Sequence, residues 1–383
     1  MKQTPEEQRP PVVDADGHLM EDLARVAELI DPSFRHLAPR YISQGETDLF
    51  VLGGEFIHLN QGMAWSDLGR LDGLKEDERK LGRRQEVYVP HAIDPDARLK
   101  LMDDYGIFAS VLYPSTGLFL GLIDDPAVYA AVARGVNRYM AEFCSSDLTR
   151  LHNVATVPIS DVERACNEAR YAVEELHAVA IYAPPGLSPK PIYHPAYEPF
   201  WDTMAELGVP FCTHAGAIPM RKGLGVERFP GRWPAFHLTT HVIEGMLACL
   251  GLVAYGVLER HRDLKVGFME CGCGWVPFWL EAIDDKRKLV EWMMPELSRS
   301  AEETFRDQCV VTSESGDELL PGVLSELKGR GVVWASDIPH ADAHDGGRPR
   351  GVWGDDRLSG QEKNQVLSHN AVEFYGLKVP SRV

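Results

Sequence analysis

Near the start of the chain, Val12-Val13-Asp14-Ala15-Asp16-Gly17-His18-Leu19-Met20-Glu21 runs two β-branched apolar residues straight into acid, imidazole and acid. Asp16 and His18 are two apart, so on an extended chain their side chains point to the same side. Glu21 follows closely enough to fold back toward them. A carboxylate and an imidazole together suit a borderline divalent metal. By itself the stretch reads equally well as a strand end with a solvated acid and a stray histidine. The balance tips because similar strand ends recur. Val209-Pro210-Phe211-Cys212-Thr213 delivers His214, Leu264 to Met269 delivers Glu270, and Val332 to Ser336 delivers Asp337, followed by Ile338-Pro339-His340. Four strand ends carrying metal-type donors are hard to explain as core packing.

Further residues join this set on weaker grounds. Asp337 would point into a closed barrel mouth and need a cation or a proton, the alternative being a buried salt bridge. Glu270 could ligate a metal, act catalytically or anchor the loop that follows. His91, in Val89-Pro90-His91, is an extra candidate ligand or an ordinary loop histidine. His241 and Glu244 lie three apart at a predicted helix start, on one face, and could contact the site or merely pair with each other. Glu314 reads as a solvated loop acid. Gly272 and Gly274 fit a sharp turn into a helix beginning at Trp275, whose N–H groups could also face an anion. Cys271-x-Cys273 is a weak metal signal, because no second cysteine pair accompanies it.

Each donor-bearing run is short, apolar and preceded by a helical segment, so strand and helix alternate along the chain. Strands are predicted within 12–21 and at 109–114, 153–158, 178–182, 209–214, 264–270, 309–313 and 332–337. Helices are predicted at 97–105, 126–144, 161–176, 196–207, 241–260, 275–294, 317–328 and 360–375. That alternation implies an α/β fold, a (β/α)8 TIM-like barrel whose strand C-termini converge on one face. Two stretches are too long for ordinary βα loops: residues 22–85, charged and irregular, and 215–237, rich in Gly, Pro, Arg and aromatics. Both are expected as cap insertions over the mouth of a single domain, 1–383. Phe119, Trp65, Phe229, Trp233 and Phe236 suggest a mostly hydrophobic small molecule, and Arg221, Lys222 or Arg232 could hold its carboxylate.

With 383 residues, 44% hydrophobic, the chain can bury a large core. Its net charge of −18 argues against nucleic acid or an anionic membrane as partner. The seven cysteines have no disulfide-scaffold spacing and read as buried thiols of a reducing compartment. No apolar run approaches membrane-spanning length and no signal peptide is evident, so a cytoplasmic location is expected. A homo-oligomer is compatible with all of this.

The pattern Asp16-x-His18-x-x-Glu21, Thr213-His214, Glu270-Cys-Gly-Cys-Gly274-Trp275-Val-Pro277 and Ser336-Asp337-x-Pro-His340 resembles the amidohydrolase-related family, metal-dependent barrels of the amidohydrolase superfamily. The resemblance implies metal ligands at Asp16, His18, His214 and Asp337, with Glu21, His91 and Glu270 as candidates for a second ion. Catalytic roles are expected of Asp337, Glu270 and His241. Two departures matter. The predicted fourth strand lacks the lysine that dinuclear hydrolases carboxylate, and the sixth strand ends in Glu270-Cys271 where family decarboxylases carry a histidine. A pocket rich in carboxylate and poor in imidazole suits iron or manganese, and enough carboxylates can bridge two ions. In this respect the chain resembles long-form members of the family that act as non-heme dinuclear iron monooxygenases, and the resemblance implies an enzyme of that kind, binding two ions and using O2 on a small hydrophobic substrate. The alternative is a redox-inert decarboxylase or hydrolase of a small carboxylated compound, using Zn or Mn.

Overall fold

A computed structural model describes residues 9–44, 47–57, 89–184, 186, 188–214, 235, 238–340 and 343–380. Eleven strands run along the described chain: β1 (Val12–Leu19), β2 (Arg40–Gln44), β3 (Thr47–Leu52), β4 (Glu55–Ile57), β5 (Ile107–Pro114), β6 (Leu151–Thr156), β7 (Ala180–Tyr182), β8 (Phe211–Thr213), β9 (Val266–Phe268), β10 (Cys309–Ser313) and β11 (Val332–Trp334). Eight of them form one parallel sheet in the order β1-β5-β6-β7-β8-β9-β10-β11. The seam between its first and last strands is joined just past β11, where the Asp337 N–H donates to the Asp16 carbonyl (3.0 Å) and the His18 N–H to the Ile338 carbonyl (2.7 Å). The molecule is thus the expected (β/α)8 barrel. Helices cover the outside of the sheet, so its strands are buried on both faces and read as nearly continuous apolar runs, such as Val332-Val333-Trp334.

The βα units have local causes. Asp94 caps the helix Pro95–Tyr105 by accepting from the Ala97 N–H (2.7 Å), and Gly106 (φ 72°) ends it in the left-handed conformation and turns the chain into β5. Asp125 and Asp161 cap the helices Pro126–Cys144 and Val162–Glu174 in the same way.

Two expectations are corrected. Residues 22–57 are not irregular: they form a helix, Leu23–Leu29, and a separate antiparallel sheet, β2-β3-β4. Gly53 and Gly54 (φ 62° and 90°), read as loop glycines, are the two-residue turn joining β3 to β4. The predicted helix 241–260 is broken, with π-type turns at Thr239–Ile243 and Leu250–Ala254 and a fresh start after Gly256 (φ 82°). The tips expected to cap the mouth, 58–88 and most of 215–237, lie outside the described residues. No described helix is long and apolar enough to cross a membrane.

Candidate metal centre

The end of β1 is shaped before any metal donor is placed. Asp14 is buried, and its carboxylate accepts from the Ser110 hydroxyl (2.6 Å), the Ser336 N–H (2.9 Å) and the Ser336 hydroxyl (2.8 Å). Burial pushes its acidity down, and these hydrogen bonds oppose the shift. The strand shifts register between Asp14 and Gly17, where a side chain would not fit. A Cβ on Gly17 would lie 2.7 Å from the Ser110 hydroxyl and inside contact distance of the Asp14 carboxylate. Buried Arg98 then holds the segment from behind. Its guanidinium donates to the carbonyls of His18, His91 (2.9 Å) and Ile338 (3.4 Å), tying β1, the helix Pro90–Ile93 and the segment after β11 together. Burial lowers its pKa to about 10.

On this frame Asp16, His18 and His214 converge, and Asp337 adjoins them through His18. His18 Nε2 lies 3.1 Å from His214 Nε2, and each nitrogen is 3.5 Å from Asp16 Oδ1. Asp337 Oδ1 is 3.6 Å from His18 Nε2. All four residues are buried, and Asp16 Oδ1 accepts no hydrogen bond. Desolvation raises the Asp16 pKa to about 6 and drives that of His18 well below its usual value. Donors held about 2.1 Å from a common ion sit roughly 3–3.5 Å apart. The set therefore fits a divalent cation, which would replace the missing hydrogen-bond donor on Asp16.

Around this set are groups that orient it. Glu270 bridges two histidines, with Oε2 3.5 Å from His214 Nδ1 and Oε1 3.4 Å from His241 Nε2. It stands behind His214, as a carboxylate commonly backs a metal-binding imidazole. Both Glu270 (φ 50°) and Asp337 (φ 54°) are in the left-handed region, a strained geometry that costs about 1–3 kcal/mol and concentrates at functional sites. His340 Nδ1 lies 2.7 Å from Asp337 Oδ1, its Nε2 is 3.0 Å from the Ser115 hydroxyl, and its ring stacks on that of His18.

Other predicted residues are placed elsewhere. Both oxygens of Glu21 accept backbone N–H bonds, from Thr116 (2.8 Å) and Gly117 (2.7 Å), at the start of a 3-10 helix, Thr116–Leu122. His91 sits on the helix Pro90–Ile93, outside the metal-type groupings of the described residues; burial lowers its pKa to about 4. Glu314 accepts from the His344 N–H (3.0 Å) and so anchors a loop. Cys271 and Cys273 are buried thiols contacting the Phe268 carbonyl and the Asp317 carboxylate, and burial pushes both up. Leu319 packs directly over Gly274, consistent with a structural turn. Phe119 is buried, whereas Trp65, Phe229, Trp233, Phe236, Arg221, Lys222 and Arg232 lie outside the described residues.

Sequence reasoning missed Asp14, Arg98, Ser115, Ser336 and the position of His340. Ser115 directly follows the second barrel strand and His340 follows Asp337 by three, so both carried a positional signal. Arg98 carried none, since a helical arginine ordinarily reads as a solvated face. The premise of an imidazole-poor pocket is also corrected: His18, His214, His340 and His241 all gather here.

The amidohydrolase family model (Amidohydro_2) matches residues 13–377. A gamma-resorcylate decarboxylase of Rhodococcus jostii (strain RHA1) is 26% identical over 276 residues, covering 64% of this chain and 77% of that protein. An amidohydrolase of Mycobacterium avium subsp. paratuberculosis K-10 superposes with a TM-score of 0.79 at 19% identity, over 97% of this chain and 99% of the other. A 5-carboxyvanillate decarboxylase of Novosphingobium aromaticivorans DSM 12444, solved with manganese and 4-hydroxy-3-methoxy-5-nitrobenzoic acid, gives 0.71 at 17% identity, over 98% of each chain. Carbon–carbon lyases are what the chain is similar to, which overturns the expected monooxygenase and oxidoreductase reading. Neither O2 nor a pair of irons finds support in them. A family match running from the first barrel strand past the last, on a barrel shared with these solved structures, means that the chain belongs to the amidohydrolase family.

Proposed function

We propose that the chain is a metal-dependent decarboxylase of a small aromatic carboxylate, with Asp16, His18, His214 and Asp337 holding one divalent ion. The observation that carries this reading is the buried convergence of the His18 and His214 nitrogens on an Asp16 oxygen, 3.1–3.5 Å apart, with Asp337 Oδ1 3.6 Å from His18. The similarity to gamma-resorcylate decarboxylase supports the lyase assignment, and the manganese-bound neighbour supports manganese as the ion. When bound, such an ion supplies positive charge that anchors and polarises the substrate's oxygens.

The rest of the chemistry falls to the chain's own groups. Loss of CO2 breaks the bond between the ring carbon and the carboxylate, and that carbon then takes a proton. Asp337 and the His241–Glu270 pair are the groups that can hold this proton beside the donor set. Glu270 also fixes the His214 ring through Nδ1, so orienting and proton-holding functions share one carboxylate. Arg98 and Asp14 keep the β1 end and the segment after β11 in register beneath the donors.

The test loads purified protein with manganese and presents hydroxylated benzoates, gamma-resorcylate and 5-carboxyvanillate among them. The expected result is stoichiometric CO2 release without O2 uptake, and in D2O one deuterium on the carbon that lost its carboxylate. Metal-loaded protein that consumes O2, or that releases no CO2 from any of these acids, would overturn the proposal.

A further inference from the structure

Both ring nitrogens of His340 face polar groups, one of them a carboxylate of the donor set. Nε2 meets the Ser115 hydroxyl at 3.0 Å and Nδ1 meets Asp337 Oδ1 at 2.7 Å, with all three residues buried. The same Asp337 Oδ1 is 3.6 Å from His18 Nε2, and His18, Asp337 and His340 together form a second grouping of metal-type donors. A nitrogen lone pair and a carboxylate oxygen at 2.7 Å repel unless a proton or a cation lies between them. The Ser115 hydroxyl bears on which it is. A metal-bound histidine donates its other N–H to a fixed acceptor, which sets the tautomer and turns the remaining lone pair toward the ion. Ser115 Oγ occupies that acceptor position.

We infer that His340 is itself a ligand of the metal, binding through Nδ1 while its Nε2–H donates to Ser115. This rests on the cluster being a divalent-metal centre and not on the decarboxylase assignment. Asp16, His18 and His214 form one grouping and His18, Asp337 and His340 the other, so an ion shared through His18 would draw on three imidazoles and two carboxylates. Five protein donors disfavour the closed tetrahedral geometry typical of structural zinc and suit ions that accept five or six ligands, such as manganese. Ser115 then fixes the tautomer and orientation of the His340 ring, which explains a buried hydroxyl just past a strand end.

The experiment measures metal rather than turnover. Manganese affinity is determined by chelator competition, and the visible spectrum is recorded on cobalt-substituted protein, for wild type and for His340→Ala, His340→Asn, Ser115→Ala and His214→Ala. Asparagine can still donate a hydrogen bond toward Asp337 but is a poor replacement for an imidazole ligand. If His340 ligates, both His340 variants lose affinity on the order of 10–100-fold or more, and their cobalt absorption intensifies as coordination number falls. Ser115→Ala weakens binding less. Wild-type affinity and spectrum in His340→Asn would overturn the inference in favour of a hydrogen bond alone, and so would an unchanged His340→Ala. A wild type that binds two ions, with one retained in the His340 variants, would overturn the single centre. His214→Ala separates the failures: if it keeps its metal, the centre is wrong, whereas if it alone loses metal, only the role of His340 is wrong.

Discussion

Burial shifts the titration of two donors at this centre, Asp16 and His18, and Asp16 bears most directly on cation binding. In the metal-free fold, burial keeps its proton bound up to a pH of about 6, against 3.8 for the free side chain. An incoming ion has to displace that proton, and metal binding to such a site is coupled to proton release. Manganese affinity is therefore expected to fall as pH drops through 6 and to level off above it, which isothermal titration at several pH values would measure; a flat profile between pH 5 and 7 would contradict the shift. His241 occupies a different position, beyond Glu270 and away from the converging nitrogens. His241→Ala should leave metal content unchanged and lower kcat on the order of 10²–10⁴-fold, the range for loss of a general acid or base. Metal analysis beside steady-state kinetics checks both halves. Which residues were legible follows from geometry. Asp16 and His18 could be read because an i, i+2 pair on a strand shares a side whatever else the chain does. Glu21 could not, because a carboxylate near a strand end competes equally for metal and for backbone N–H groups, and here Thr116 and Gly117 supply the latter. His241 was visible as a helix-start histidine. That it meets Glu270 depends on a π-type turn at Thr239–Ile243 that propensity does not signal.

The elements beneath these residues fail in more ordinary ways. Arg98 comes from the helix Pro95–Tyr105, yet it satisfies carbonyls on three different segments. Arg98→Met keeps the aliphatic bulk but strands those buried acceptors, at a cost of about 2–5 kcal/mol. Urea unfolding should show that loss, together with weakened metal binding as His18 and Ile338 shift. Gly17→Ala tests the β1 bulge: the added methyl group meets Asp14 and Ser110, so about 1–3 kcal/mol of stability should disappear through overpacking. A variant as stable as wild type would show that the bulge accommodates a side chain. All eight barrel strands were legible, because buried parallel strands are short apolar runs ending in polar residues. The sheet β2-β3-β4 was not. Its strands are short, it is separate from the barrel sheet, and the turn that would have announced it, Gly53-Gly54, lies in a charged stretch that reads as loop.

At the scale of the whole molecule, the donors and the barrel seam coincide. Asp16 and His18 come from β1, and Asp337 from just past β11. The two backbone bonds joining these ends use atoms of those same residues: Asp337 N–H to the Asp16 carbonyl and His18 N–H to the Ile338 carbonyl. His214, from just past β8, reaches across the mouth to the pair. An ion held by all four would therefore join the first and last strands as well as serve chemistry, and its removal should be felt by the fold. Binding to the native state alone stabilises by RT ln(1 + [L]/Kd), about 2.7 kcal/mol at a hundredfold excess over Kd. Exhaustive chelation should lower Tm by several degrees, and added manganese should restore it. The amide protons of His18 and Asp337 should exchange faster in the metal-free protein than those of β6 and β7, which lie away from the seam. His214→Ala provides the control, since a protein unable to hold the ion should respond little to chelator. If Tm and exchange at the seam are the same with and without metal, the ion is a passenger of a barrel that closes on its own hydrogen bonds.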